Sequence, residues 1–172
     1  MKYSKLFCLL LFFVFYSCYD YDNGDLSNKY KSLPIVSEIP TYHFDCDSIT
    51  SEQQDIIKRV IIINSENQLY DLFNVWEFEM PDELKNFNYE QYSLLIGFYA
   101  SLSYTLSIQH SFYLTGENED SAYEYYRICN IRGSEDFDPE NYTLYYFYSG
   151  ILVNKIPDNS DIKMTTSILG ID

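Results

Sequence analysis

The sequence predicts a mainly β protein of the α+β kind: a mostly antiparallel sheet, built as a sandwich or an open barrel, with one short amphipathic helix packed on it. Three observations carry this. Residues 102–114 alternate without a break, with Leu102, Tyr104, Leu106, Ile108, His110, Phe112 and Leu114 on one face and Ser101, Ser103, Thr105, Ser107, Gln109, Ser111 and Tyr113 on the other. Such a period of two belongs to a strand with one buried side. Further stretches rich in aromatic and β-branched residues follow the same rule, with turn-forming residues between them. A single segment, 65–76, changes to helical spacing.

In chain order, residues 35–46 form a weak strand, and Pro40 places it at a sheet edge because it cannot donate a ladder hydrogen bond. Residues 57–63, within IKRVIIIN, read as a buried strand. Directly afterwards Ser65-Glu66-Asn67-Gln68 has the pattern of a capping box, and Leu69, Leu72, Phe73 and Trp76 follow at i, i+3, i+4 and i+7. A short helix after a strand packs that stripe on a sheet, and Pro81 ends any continuation. Residues 92–100 form the next strand. The thirteen alternating residues 102–114 are long for one strand and predict a bend or bulge. Strands at 122–132 and 142–154 follow, separated by turn residues at 115–120 and 133–141. The segment 142–153 is apolar on both faces, as in a central strand or an aromatic face covered by something else. A last, weaker strand covers 162–169.

The N-terminus gives an address. Lys2 and Lys5 precede an uncharged apolar run, Leu6 to Tyr16, far below the roughly 20 residues that cross about 30 Å of hydrocarbon as a helix. A signal peptide fits such a segment. Ser17-Cys18 resembles the end of a bacterial lipoprotein signal, in which the cysteine is acylated and becomes the first mature residue; Phe15 and Tyr16 depart from the usual Leu and small residue there. Residues 1–17 are then the signal, 18–33 a tether and 34–172 a single domain. Two or more acyl chains hold a protein firmly on a bilayer, so a lipidated Cys18 needs no membrane-spanning helix. The tether, fully extended, reaches on the order of 50 Å. Its start, Tyr19-Asp20-Tyr21-Asp22, resembles the export tag of surface lipoproteins in some Gram-negative bacteria. The expected location is the cell envelope, at the outer membrane and displayed at the surface, with the periplasmic leaflet as the alternative.

Composition narrows the partners. The formal charge is −15, and loss of residues 1–17 takes Lys2 and Lys5 with it and moves it to −17. That charge repels nucleic acid and anionic headgroups. The 19 Tyr and 12 Phe, regularly spaced, oppose disorder beyond about Pro34. With Cys18 acylated, Cys46 and Cys129 are left as a candidate disulfide of an exported domain, or as two buried small hydrophobes; a bridge requires their Cα atoms within about 7 Å.

The order VIIINSENQLYDLF, FNYEQYSLLIG, hairpin strands and a late VNKIP resembles the small C-terminal domain of protease-complex accessory subunits of the PrcB type, which also occurs in lipoproteins. The segments that carry the resemblance are Asn64 to Phe73, Phe87 to Gly97 and Val153 to Pro157, within residues 57–157; Asn88 stands where an acidic residue is expected near Phe87. The resemblance implies a β-rich module that assists or binds another exported protein, a protease among the candidates. It implies no catalytic residues.

Catalytic patterns are scarce. His43 and His110 are the two histidines, so a histidine general base must be one of them. His110 lies on the apolar face of its strand, and His43 sits in Tyr42-His43-Phe44-Asp45. No G-x-S-x-G elbow, H-E-x-x-H helix, P-loop or dinucleotide glycine pattern occurs, and six glycines leave little for phosphate-cradling loops. The acidic stretches Glu117-Asn118-Glu119-Asp120 and Glu135-Asp136-Phe137-Asp138-Pro139-Glu140 lack the alternating carboxylates and central glycine of an EF-hand loop and read as solvated hairpin ends. Carboxylates converging for glycoside hydrolysis are a property of the fold, not of spacing along the chain. The tripeptides Asp47-Ser48-Ile49 and Asp120-Ser121-Ala122 resemble bacterial O-glycosylation acceptors. The expectation is a protein that is not an enzyme, with no cofactor and no metal. Two binding readings follow. One is a lipid-anchored accessory module that contacts another envelope or secreted protein. The other is a carbohydrate-binding component of a surface glycan-uptake system, in which Tyr142, Tyr145, Tyr146 and Tyr148 form an exposed platform that stacks on sugar rings.

Overall fold

The computed structural model describes residues 29–44, 48–57, 59–77, 79–101, 105–115, 122–132 and 145–171. The expected signal peptide, Cys18, most of the expected tether, Cys46, Tyr142 and both acidic stretches lie outside them. The elements are strands β1 (Lys31–Ser32) and β2 (Ile35–Phe44), helix α1 (Ser51–Ile57), β3 (Val60–Ile63), helix α2 (Glu66–Trp76), a 3₁₀ turn (Asp82–Leu84), and β4 (Tyr92–Ser101), β5 (Thr105–Leu114), β6 (Tyr123–Arg132), β7 (Tyr145–Asn154) and β8 (Ile162–Ile171). They make two four-stranded sheets. Sheet A has the order β1-β5-β6-β8, and sheet B the order β2-β7-β4-β3. The sheets are not closed into a barrel, so the arrangement is a sandwich. Every pairing is antiparallel except β6 with β8.

Sheet B is the middle layer. Leu94, Ile96, Phe98, Tyr148 and Leu152 turn to one side of it and pack with Leu69, Leu72, Phe73 and Trp76 of α2, together with Ile56 and Leu84. On the opposite side Leu95, Ile151 and Val153 meet Phe112, Tyr123 and Tyr125 of sheet A. This is why β7 is apolar on both faces: eight of its ten residues are buried, between helices and a second sheet. The α2 stripe is the predicted one. Each of its four side chains, fully buried, contributes roughly 1.5–3 kcal/mol by leaving water. Trp76 stacks on Phe98 with ring centroids 4.7 Å apart, and Phe44 meets the indole edge-on at 5.1 Å.

Both helices begin as their sequences dictate. Ser65 caps α2, its Oγ accepting from the Gln68 N–H at 3.3 Å, while Gln68 Oε1 accepts from the Asn64 N–H at 2.6 Å. The strand predicted over 57–63 is shorter than expected, because Ile57 closes α1 instead. The signal for α1 is Thr50-Ser51-Glu52-Gln53, a capping box in which Thr50 Oγ1 accepts from Gln53 N and Gln53 Oε1 accepts from Thr50 N. Gln53 also ties α1 to α2, donating to the Val75 carbonyl at 3.0 Å. The expected tether is shorter as well: Lys31 and Ser32 pair with Leu114 and Tyr113 of β5, so the folded body starts before Pro34.

Segments 64–73, 87–97 and 153–157 meet in one hydrogen-bonded knot. Ser93, fully buried in β4, accepts from the Ile156 N–H at 2.9 Å and donates to Asn64 Oδ1. Asn64 Nδ2 donates to the Ile156 carbonyl at 3.0 Å, and Lys155 Nζ reaches the carbonyls of Asn64 and Tyr89 at 3.2 and 2.6 Å. The end of β3, the start of β4 and the end of β7 are thereby pinned together. Among the described residues no helix is long and apolar enough to cross a membrane.

Candidate interaction surface

The alternation in β5, β6 and β8 sends one set of side chains inward and leaves the other on the outer face of sheet A. That face carries Ser107, Gln109, Ser111 and Tyr113 from β5 and Glu124, Tyr126, Ile128 and Asn130 from β6. β8 adds Lys163, Thr165 and Ser167. Its side chains are knitted together. Asn130 Nδ2 donates to Ser107 Oγ at 2.9 Å, the Tyr126 hydroxyl and Ser167 Oγ share a hydrogen bond of 2.6 Å, and Thr165 Oγ1 donates to Glu124 Oε1 at 2.8 Å. The two charges oppose each other, with Lys163 Nζ 3.9 Å from Glu124 Oε1. In a chain of formal charge −15 this is a net-neutral surface made mainly of hydroxyls, amides and phenols, with Ile128 among them and Glu124 largely buried. The helices lie on the far side of sheet B, so no described helix covers it.

The edges of the two sheets differ sharply. β2 carries Pro40 and register shifts between Ile35 and Ser37 and between Ile39 and Tyr42. β3 is only four residues long. β5 has a register shift between Thr105 and Ser107, the irregularity that its length predicts, and its other end is covered by β1 and by Leu33, whose N–H donates to the Phe112 carbonyl at 2.8 Å. β8 runs for ten residues in unbroken register with β6, without proline or bulge, and no described strand pairs with its other side.

Between the sheets the inward set from β6 includes Arg127, which is 1% exposed. Its Nη1 donates to the Gly97 carbonyl at 3.3 Å, and Nε and Nη2 donate to Thr166 Oγ1 at 3.3 and 3.0 Å. The guanidinium lies over the Tyr99 ring at 4.7 Å and the Tyr125 ring at 5.8 Å. Among the described residues no carboxylate pairs with it. Ring faces, a carbonyl and a hydroxyl therefore compensate the buried charge. Burial drives the Tyr99 and Tyr125 phenols far above their ordinary range and pushes the Cys129 thiol up. These phenols and the thiol are held neutral around a buried cation. Arg127 was legible in the sequence as the inward phase of Tyr123-Glu124-Tyr125-Tyr126-Arg127-Ile128-Cys129, but a lone arginine in that phase is easily passed over.

His110 is on the inner face, as its position in the alternation predicts, and its Nδ1 shares a 2.7 Å hydrogen bond with the Tyr125 hydroxyl. Burial, and then the Arg127 charge, lower it to about 4, so the ring is neutral at pH 7. His43 is exposed on β2 with its ring edge-on to Phe147 at 4.5 Å. Of the aromatics proposed as a platform, Tyr146 and Tyr148 are 7% and 3% exposed, because their side of β7 is the one that the helices cover. Tyr148 stacks on Tyr42 and meets Phe73 edge-on, as a core residue does. Tyr145 is at the surface, and Tyr142 lies outside the described residues. Cys129 is a buried free thiol, and Cys46 lies outside the described residues. A small apolar cleft of about 200 Å³ opens where the chain enters sheet A, lined by Leu33, Pro34, Phe112, Leu114, Tyr123 and Val153.

No family model matches the chain, and no curated protein or solved structure matches it either.

Proposed function

We propose that the protein is a lipid-anchored module of the cell envelope that binds another exported protein and acts as its accessory. The anchor is Cys18, at the end of a lipoprotein-type signal, and the accessory role agrees with the resemblance to PrcB-type subunits, in which the partner is a protease. One observation carries the reading: the outer face of sheet A is a neutral field of hydroxyl, amide and phenol groups on an otherwise strongly acidic protein. Interface cores are depleted in charge and enriched in tyrosine, and in antibody paratopes Ser and Asn supply adaptable hydrogen bonds beside it.

Site-specific photocross-linking in intact cells tests it. A benzophenone amino acid at Tyr126, on the outer face, is compared with one at Tyr70, exposed on α2. The expected result is one defined protein adduct from Tyr126, none from Tyr70, and loss of the adduct when Cys18→Ala releases the chain from the membrane fraction. Equal labelling from both positions, or none from Tyr126, overturns the proposal.

A further inference from the structure

We infer, resting on the binding role just proposed, that the partner is held as an added strand along the outer edge of β8, and that the segment it contributes is extended and net basic. Three of the four outer edges carry the devices that discourage strand addition: proline and bulges in β2, brevity in β3, and a register shift plus the β1 cover in β5. Among the described residues β8 carries none of them. Its ten residues keep register from Tyr123↔Ile162 to Arg132↔Ile171, so a straight row of peptide groups faces outward. The strand is also fixed from inside. Ile162 and Met164 pack in the inter-sheet core, and Thr166 accepts twice from Arg127, which leaves the edge preorganised for backbone pairing.

The geometry sets what such a segment looks like. β3 lies near β8 in the other sheet and is only four residues long, with Ile62 half-buried against the inter-sheet core, so an inward side chain of an incoming strand meets apolar surface beside Ile62. The remaining side chains continue the neutral outer face beside Lys163, Thr165 and Ser167. Charge decides the sign of the rest. β8 begins directly after the exposed Asp158 and Asp161, and the chain as a whole carries −15, a field that attracts basic segments and repels acidic ones, a second copy of this chain included.

The test uses the full chain in detergent micelles and a displayed library of random twelve-residue peptides. Enriched peptides are expected to alternate β-branched with polar residues and to carry an excess of Lys and Arg. When a synthetic copy of one binds, alternate amides of residues 162–171 exchange at least tenfold more slowly, while a shuffled peptide leaves them unchanged. No enrichment, enrichment without a basic bias, or slowed exchange on β2, β3 or β5 instead overturns the inference. So does protection of β8 that rises with protein concentration in the absence of peptide, which would assign the edge to a second copy. A Tyr126 cross-link in cells without peptide protection of β8 removes the edge and leaves the binding role standing; loss of the Tyr126 and β8 results together removes both.

Discussion

Arg127 and Gly97 face each other across the two sheets, the guanidinium Nη1 donating to the Gly97 carbonyl oxygen at 3.3 Å. A Cβ at position 97 would stand 2.7 Å from that nitrogen and 3.1 Å from Met164 Sδ. Glycine is therefore required for close approach rather than for an unusual backbone angle, since no glycine among the described residues has positive φ. Gly97→Ala is expected to cost about 1–3 kcal/mol, the usual penalty of overfilling a packed site. In an Arg127→Met background the same change should cost at least about 1 kcal/mol less, because the nearest obstacle is gone. Urea unfolding of the four proteins in that cycle checks it; additive penalties would mean that the arginine is not the obstacle.

Protonation of His110 should make stability depend on pH in a defined window. Burial and the Arg127 charge lower the folded value to about 4, against 6.5 for the unperturbed ring. The unfolded chain therefore binds a proton below about 6.5 that the folded chain refuses until about 4. The stabilisation is complete above 6.5 and is lost as pH falls toward 4, by roughly 2–3 kcal/mol for this partly accessible ring. Comparing wild type with His110→Gln at pH 7.5 and 4.5 isolates that share from the protonation of carboxylates. The variant should lose less stability between the two pH values, and an equal loss would refute the assignment.

Ser93→Ala tests the knot that joins β3, β4 and β7. The hydroxyl is fully buried and serves both the Ile156 N–H and Asn64 Oδ1. Its removal leaves the buried Ile156 N–H and the partly buried Asn64 Oδ1 short of a partner and should cost about 2 kcal/mol. Thermal unfolding followed by the fluorescence of Trp76, the chain's single tryptophan, reads this directly. A midpoint unchanged within a degree would show that solvent satisfies those groups.

Glu77 ends α2 in the left-handed conformation, φ 56° and ψ 28°, with its N–H donating to the Asn74 carbonyl at 3.2 Å. Glycine adopts that conformation without the Cβ penalty. Glu77→Gly is expected to stabilise the protein by about 1 kcal/mol and to raise its unfolding temperature. A lowered temperature would mean that the side chain makes a contact worth more than the strain.

Much of this architecture follows from neighbours within a few residues of one another. The α2 stripe at Leu69, Leu72, Phe73 and Trp76 is a matter of helical spacing and a serine cap, and the strands at β4, β5, β6 and β8 show in alternation and β-branched content. The helix α1 is outside the one helix that the sequence predicts: its local signal is only the capping box of Thr50 with Gln53, and seven residues with a buried glutamine carry no apolar stripe to announce it. The tyrosines of β7 show the opposite limit. Their composition is visible in the sequence, yet whether Tyr146 and Tyr148 face water or a helix depends on what packs over them.

Local order along the chain sets the period of the main elements, the Ser65 cap of α2, the strong negative charge and the signal-like start with its cysteine. Only the folded arrangement brings β8 parallel to β6, gathers neutral polar groups on the outer face of sheet A, buries Arg127 over two rings, and leaves the outer edge of β8 without a described strand beside it. The reason is range. Alternation and capping are set by atoms a few bonds apart, whereas pairs such as Glu124 with Thr165 and Gly97 with Arg127 exist only after long loops have closed, and chain-closure entropy is blind to which strand waits at the far end.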